Sequence, residues 1–169
     1  GAINQYLVGY LSDKYDRGTV IVTVAFLASI FAVLAVLIGS SFIALIITTF
    51  IFGGLTVPLY ALAIAHTNDF LEKDEMVAAS SGLQLAGGIG LTIGPIIGGL
   101  SIDFVGANGF WIYLFLIHAL LGVFGLFRMQ VREAVPLDEQ GSTVLVSSRA
   151  TATLMELYPD AEESIDPVE

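Results

Sequence analysis

Residues Val77 to Ile102, VAASSGLQLAGGIGLTIGPIIGGLSI, run for 26 positions without a charged side chain. About 20 apolar residues, each rising roughly 1.5 Å, cross the hydrocarbon core of a bilayer. This stretch is therefore long enough to span one with some tilt. It is also rich in glycine, and each internal Gly costs about 1 kcal/mol relative to Ala in a soluble helix. In a membrane helix the same small residues let two backbones approach closely, and helix association runs on that packing. Small residues recur at every fourth position: Ala78, Gly82, Ala86, Gly90, Gly94 and Gly98. The pattern predicts a spanning helix with a groove for a partner helix.

The remainder of the chain supplies the company such a helix needs. Three more uncharged runs, Thr19–Ile38, Phe42–Ala65 and Phe110–Phe127, read as spans, and residues 1–11 read as the second half of a further one. Charged loops at Ser12–Gly18 and Asn68–Met76 alternate with short turns at Gly39–Ser41 and Asp103–Gly109. With 13% charged residues, against about 25% in soluble domains, the chain has too little polar surface to cover these runs. The fold class is an all-α, multi-spanning transmembrane bundle, a partial chain of about four full spans plus part of one more. Pro58 removes a backbone donor from its span and is expected to bend it. Trp111 and Tyr113, at the start of the last span, are expected to anchor it at the membrane surface.

Charge then orients the bundle. All six basic residues, Lys14, Arg17, Lys73, Arg128, Arg132 and Arg149, fall on the side that holds the two charged loops and the exit from the last span. By the positive-inside rule that side is cytoplasmic, and so is the C-terminus. Nine of the 16 acids lie from Glu133 onward, beside Pro136, Pro159 and Pro167. Residues 133–169 therefore read as an acidic, mostly disordered cytoplasmic tail following a membrane unit of residues 1–132. Such a tail repels nucleic acid and anionic headgroups. There is no cysteine, hence no disulfide framework and no Cys-based metal site or nucleophile. The first residues have no basic signal-peptide region, and the chain is expected to begin inside a membrane segment.

Two motifs stand on this frame. Gly9-Tyr10-Leu11-Ser12-Asp13-Lys14-Tyr15-Asp16-Arg17-Gly18 resembles the G-x-L-x-D-[KR]-x-G-[KR]-[KR] cytoplasmic loop of the major facilitator superfamily. Gly9, Leu11, Asp13, Lys14 and Arg17 match; Asp16 stands where that family has Gly, and Gly18 where it usually has a base. Taken alone, the stretch also reads as an ordinary charged turn. Gly90 to Gly99, GLTIGPIIGG, resembles the G-x-x-x-G-P-x-x-G-G signature of helix five in the same superfamily, with Gly90, Gly94, Pro95, Gly98 and Gly99 in register. The two motifs occur in the family's order, separation and orientation.

The resemblance implies a secondary transporter of a small solute working by alternating access, ion-gradient driven and of the kind that includes efflux proteins. It implies no cofactor, no metal and no enzymatic role. Helices two to six and eight to twelve of that fold share this motif order. The uncharged Phe42–Ala65 span and the acidic tail favour part of helix eight plus helices nine to twelve, with the N-terminal half as the missing partner. The run Gly53–Asp69 and the tail resemble the YcaD-type group of bacterial members, which implies the inner membrane. Asp13, Lys14 and Arg17 are then the cytoplasmic gate, with Gly9 and Leu11 packing the loop, and the glycine helix a packing and rocking surface.

Gln84, Tyr60 and His118 are the candidates for contact with substrate or proton, because a polar group at membrane depth is a functional hypothesis by default. The Thr residues in the spans are expected to bond their own helices. Two other classes use membrane helices of this kind. An intramembrane hydrolase needs an embedded nucleophile with its base or a paired His/Asp metal set, and the spacing of His66, His118, Ser80 and Ser81 matches no such constellation. A non-transporting receptor or scaffold would use the same helices without a polar cavity.

Overall fold

The computed structural model describes residues 8–12, 14–38, 41–71 and 75–131. After a short helical stub at 8–12 come four helices: α1 (Arg17–Ile38), α2 (Phe42–Asn68), α3 (Met76–Val105) and α4 (Ala107–Val131). All four are long and apolar enough to cross a membrane. Among the described residues there is no strand. Asp13, residues 1–7 and the acidic segment from 132 onward lie outside the described residues, and the reading of 133–169 as a tail falls there.

Local chemistry sets the helix ends. Asp16 opens α1: its Oδ2 accepts from the Thr19 amide at 2.8 Å and the Thr19 hydroxyl at 2.9 Å. A carboxylate cap of this kind satisfies donors that the first turn leaves orphaned. The departure from the family pattern at Asp16 thus has a local role, and α1 begins two residues earlier than the uncharged run suggests. Ser41 opens α2 in extended conformation and its side chain accepts from the Ala44 amide. Pro58 and Pro95 both lie inside continuous helices.

The expected seven-residue turn at Asp103–Gly109 is much tighter. α3 runs on to Val105 and α4 starts at Ala107, so Gly106 alone makes the reversal. Its φ of 82° and ψ of −167° are open to glycine and strained for other residues. Gly109 is buried because its Cα faces the Ser101 carbonyl directly, and a Cβ there would overlap backbone.

The spans deal with their hydroxyls as anticipated. Thr48, Thr49, Thr67 and Thr92 each donate to the carbonyl four residues back, at 2.7 to 2.9 Å. Each hydroxyl is satisfied within its own helix and leaves the apolar exterior intact.

α1 is the central helix, packing along both α2 and α4; α4 also carries α3, while α2 and α3 touch only lightly. The reason is on the face of α1. Ala25, Ala28, Ala32 and Ala35 are completely or almost completely buried at helical spacing. Opposite them α4 presents Gly122 and Gly125, where a Cβ would meet the Phe26 ring at 2.9 Å and Val22 Cγ2 at 2.5 Å. Close approach in the bundle is thus found along α1 and α4 as well as at Gly109, where α4 meets the α3 backbone.

The larger apolar side chains point outward, Phe104 at 84% exposure and Leu91 at 79%. In water such a surface would drive aggregation; in a bilayer it meets lipid. Trp111, expected at the membrane surface, turns inward instead, its ring 5.7 Å from Phe52 and edge-on. Tyr113 also turns inward, onto α3.

Candidate functional site

The start of α1, the end of α2, the start of α3 and the end of α4 share one end of the bundle, with Lys14 exposed beside the α1 start. A buried charge pair lies there. Arg17, in the first turn of α1, donates from Nη1 to Asp69 Oδ2 at 2.5 Å and from Nε to Ser12 Oγ at 3.1 Å. The Arg17 and Asp69 side chains are 2% and 4% exposed, and Ser12 is fully buried. Taking two ions out of water costs several kcal/mol each, and their attraction offsets this only with good geometry and further hydrogen bonds. The Ser12 bond supplies one of these, so stub, α1 and α2 are fastened at a single point.

The polarity of this pair is unusual. Arg17 sits at the positive N-terminal end of α1, and Asp69 caps the negative C-terminal end of α2. Each charge opposes the dipole of its own helix by roughly 0.3–1 kcal/mol. Both are held by the partner helix. A fastening built this way is strong while desolvated and loses its advantage once water enters.

Gly18 closes the corner. A Cβ there would stand 3.3 Å from Asp16 Oδ2, 3.7 Å from His66 Cε1 and 3.7 Å from Met129 Cγ. Three helix ends converge on that point, which accounts for glycine where a long base would be expected. Of the predicted gate, Arg17 is central, Gly9 is buried in the stub, Leu11 and Lys14 are exposed, and Asp13 is outside the described residues. Asp69 and Ser12 were not singled out from the sequence. The available signal was electrostatic: a cation at a helix start and an acid at a helix end are each misplaced alone and correct together.

The glycine signature divides between two surroundings. Gly98 is buried under the Phe110 ring at 3.4 Å, and Gly94 faces the Tyr113 hydroxyl at 3.7 Å. Gly90 and Gly99 face open space, and Pro95 is exposed. The single four-residue groove expected from the sequence is thus half occupied within the chain. A row spaced by four drifts about 40° per step round a 3.6-residue helix, so its two ends face different neighbours.

The three candidate contact residues are not gathered in one place. Tyr60 lays its ring edge against Gly87, at 3.5 Å from where a Cβ would be. Gln84, one turn away on α3, is exposed. His118 is half-buried on α4, its Nδ1 2.8 Å from the Leu114 carbonyl and its ring 5.1 Å from Phe52.

The family profile described as Major Facilitator Superfamily matches residues 1–156. The chain belongs to the major facilitator superfamily. It is a membrane transporter chain of that superfamily, set in a lipid bilayer and acting on a small-molecule substrate. Comparison with curated proteins and with solved structures returns no match. In this superfamily chain the described residues of the loop motif end in the Arg17–Asp69 pair, and the glycine signature lies on α3. The matched region continues past Val131 into residues outside those described.

Proposed function

We propose that this chain is the C-terminal part of a secondary active transporter, comprising part of helix eight and helices nine to twelve, completed by an N-terminal half. The transporter moves a small solute by alternating access, is driven by an ion gradient, and includes efflux among its directions. The basic end is cytoplasmic, as the positive-inside rule requires, in the inner membrane of a bacterial member of the YcaD type. Arg17, Asp69 and Ser12 form the latch of the cytoplasmic gate, with Gly9, Leu11, Asp13 and Lys14 completing the loop.

One observation carries this reading: a desolvated ion pair fastens two helix ends at the basic end of the bundle. Such a pair is stable while water is excluded and separates readily when the end opens, as a rocking half requires. The absence of charge from the Phe42–Ala65 span supports assignment to the C-terminal half. Gly90, Gly94, Pro95, Gly98 and Gly99 keep α3 slender for movement against a facing surface. His118, packed on Phe52, is the candidate for a proton-linked role.

The test is flux of a broad panel of small solutes in vesicles holding the full-length protein, with and without an imposed proton or sodium gradient. At least one solute is expected to move in a manner that collapses with the gradient. No gradient-dependent movement of any of them would contradict the reading.

A further inference from the structure

The corner that Gly18 closes holds a second pair of groups, apart from Arg17 and Asp69. The point where a Gly18 Cβ would stand is 3.3 Å from Asp16 Oδ2 on the α1 side and 3.7 Å from His66 Cε1 on α2. Carboxylate and imidazole thus border one small space, which the missing side chain at residue 18 leaves clear. Cε1 lies between the two ring nitrogens, so the imidazole edge turned to this space carries its N–H groups. Asp16 and His66 are both half-buried. Met129 covers the space from α4, its Cγ 3.7 Å from the same point, and Phe70 stands edge-on to the His66 ring at 5.1 Å. Asp16 meets the Thr19 amide and hydroxyl through Oδ2, and a carboxylate has about four lone-pair sites to offer.

Helix dipoles favour this pair as firmly as they oppose the first. Asp16 precedes the first turn of α1, and His66 lies in the last turn of α2. An anion at a helix start and a cation at a helix end are each stabilised. Histidine is the side chain whose ordinary titration falls between about pH 5 and 8. A neutral imidazole brings Asp16 no countercharge; an imidazolium brings one.

The charges near His66 are Asp16 and Arg17 from α1 and Asp69 on its own helix, with Arg17 and Asp69 paired to each other. α4 meets the corner with the uncharged Met129. Arg128 beside it, Lys14 next to the start of α1 and Glu75 at the start of α3 are exposed, where solvent and salt screen them. Asp13 and residues 72–74 lie outside the described residues. Asp16 is the charge that shares its space with the ring.

We propose that protonation of His66 pairs it with Asp16 and adds a second, proton-dependent fastening between α1 and α2, so that acidity on this side holds this end of the transporter closed. The pair exists only with the imidazolium, so it is present at low pH and lost as pH rises through the histidine titration. The closing role rests on the transporter reading; the pair itself does not.

Hydrogen exchange in the full-length protein in lipid nanodiscs reads the fastening at the amides of Asp69, Phe70 and Leu71, which donate to the Ala65, Thr67 and Asn68 carbonyls at the end of α2. Asp16→Asn keeps a capping oxygen and removes the charge. His66→Gln keeps a polar side chain and removes the titration. Comparison at one pH cancels the intrinsic exchange rate. At about pH 5.5 both variants are expected to exchange about fivefold faster than the native protein, and the double variant no faster than either. At about pH 8 all four should coincide. Equal exchange at the lower pH, a loss as large at the higher pH, or losses that add in the double variant would overturn the pair. Gradient-driven flux in vesicles tests the closing role. Acidifying the basic-end side should slow the native protein more than Asp16→Asn, and equal slowing overturns that role. No native flux at either pH, with the exchange difference intact, removes the transporter reading and the closing role with it and leaves the proton-dependent pair standing.

Discussion

At the scale of single residues, the Arg17–Asp69 pair is where the chain concentrates its electrostatic risk. Removing one partner takes a desolvated countercharge from the other, and breaking a buried pair in this way costs roughly 3–5 kcal/mol. Removing both with isosteric neutral groups leaves two amides that can bond each other. Arg17→Gln and Asp69→Asn should therefore each destabilise the detergent-solubilised protein by about 3 kcal/mol. The double variant should be distinctly more stable than the sum implies, read as a coupling energy from thermal or denaturant unfolding. Additivity of the two losses would show that the pair contributes no interaction of its own. The exchange Arg17→Asp with Asp69→Arg is instructive in a second way. It places each charge at the end of its helix that the dipole favours, so it should unfold no earlier than the native protein. The sequence displayed both residues but not their meeting. They are 52 positions apart, and only the antiparallel course of α1 and α2 brings them together.

At the scale of elements, glycine has two different uses that its count does not separate. The density of glycine in Val77–Ile102 points to α3 as the tightly packed helix, yet α3 is the most open of the four after its contact with α4. Away from the Gly106 reversal, α1 and α4 pack tightly, with two glycines on α4 and a row of buried alanines on α1. Position in the bundle decides this: α1 has neighbours on both sides, and α3 is carried at the edge. Gly122→Ala and Gly125→Ala should each lower stability by about 1–3 kcal/mol through overpacking against Phe26 and Val22. Gly90→Ala and Gly99→Ala meet nothing among the described residues and should hold or gain up to about 1 kcal/mol through helix propensity. Unfolding midpoints of the four variants in one detergent check the contrast. Loss at Gly90 equal to that at Gly125 would show that the α3 surface is covered as closely as the α1–α4 crossing.

At the scale of the whole molecule, the architecture was legible because the bilayer restricts what a chain can do. With backbone groups unable to bond to solvent in hydrocarbon, an uncharged run of the right length has one outcome, and four such runs give four helices. The two motifs gave the family, and the family profile agrees over residues 1–156. What the sequence left dark was lateral: which helix is central, which aromatic turns inward, which acid meets which base. Trp111 is the clearest case. Its amphipathic ring suits a membrane surface, but the small residues Ala28 and Ala32 and the Phe52 ring leave a place for it inside. The polar candidates were visible one at a time, and the structure does not gather Gln84, Tyr60 and His118 in one place.

The claim on which the functional account turns is that the Arg17–Asp69 contact closes one end of a transporter during its cycle. The direct measurement is gradient-driven flux in vesicles for the full-length native protein, Arg17→Gln, Asp69→Asn and the charge exchange, at matched amounts of folded protein. The two single variants should fall by about tenfold or more, a change of roughly 1.4 kcal/mol or greater in the limiting barrier. The exchange, which restores the pair, should recover most of the native rate. Native flux in both single variants, or an exchange no faster than the singles, would contradict it.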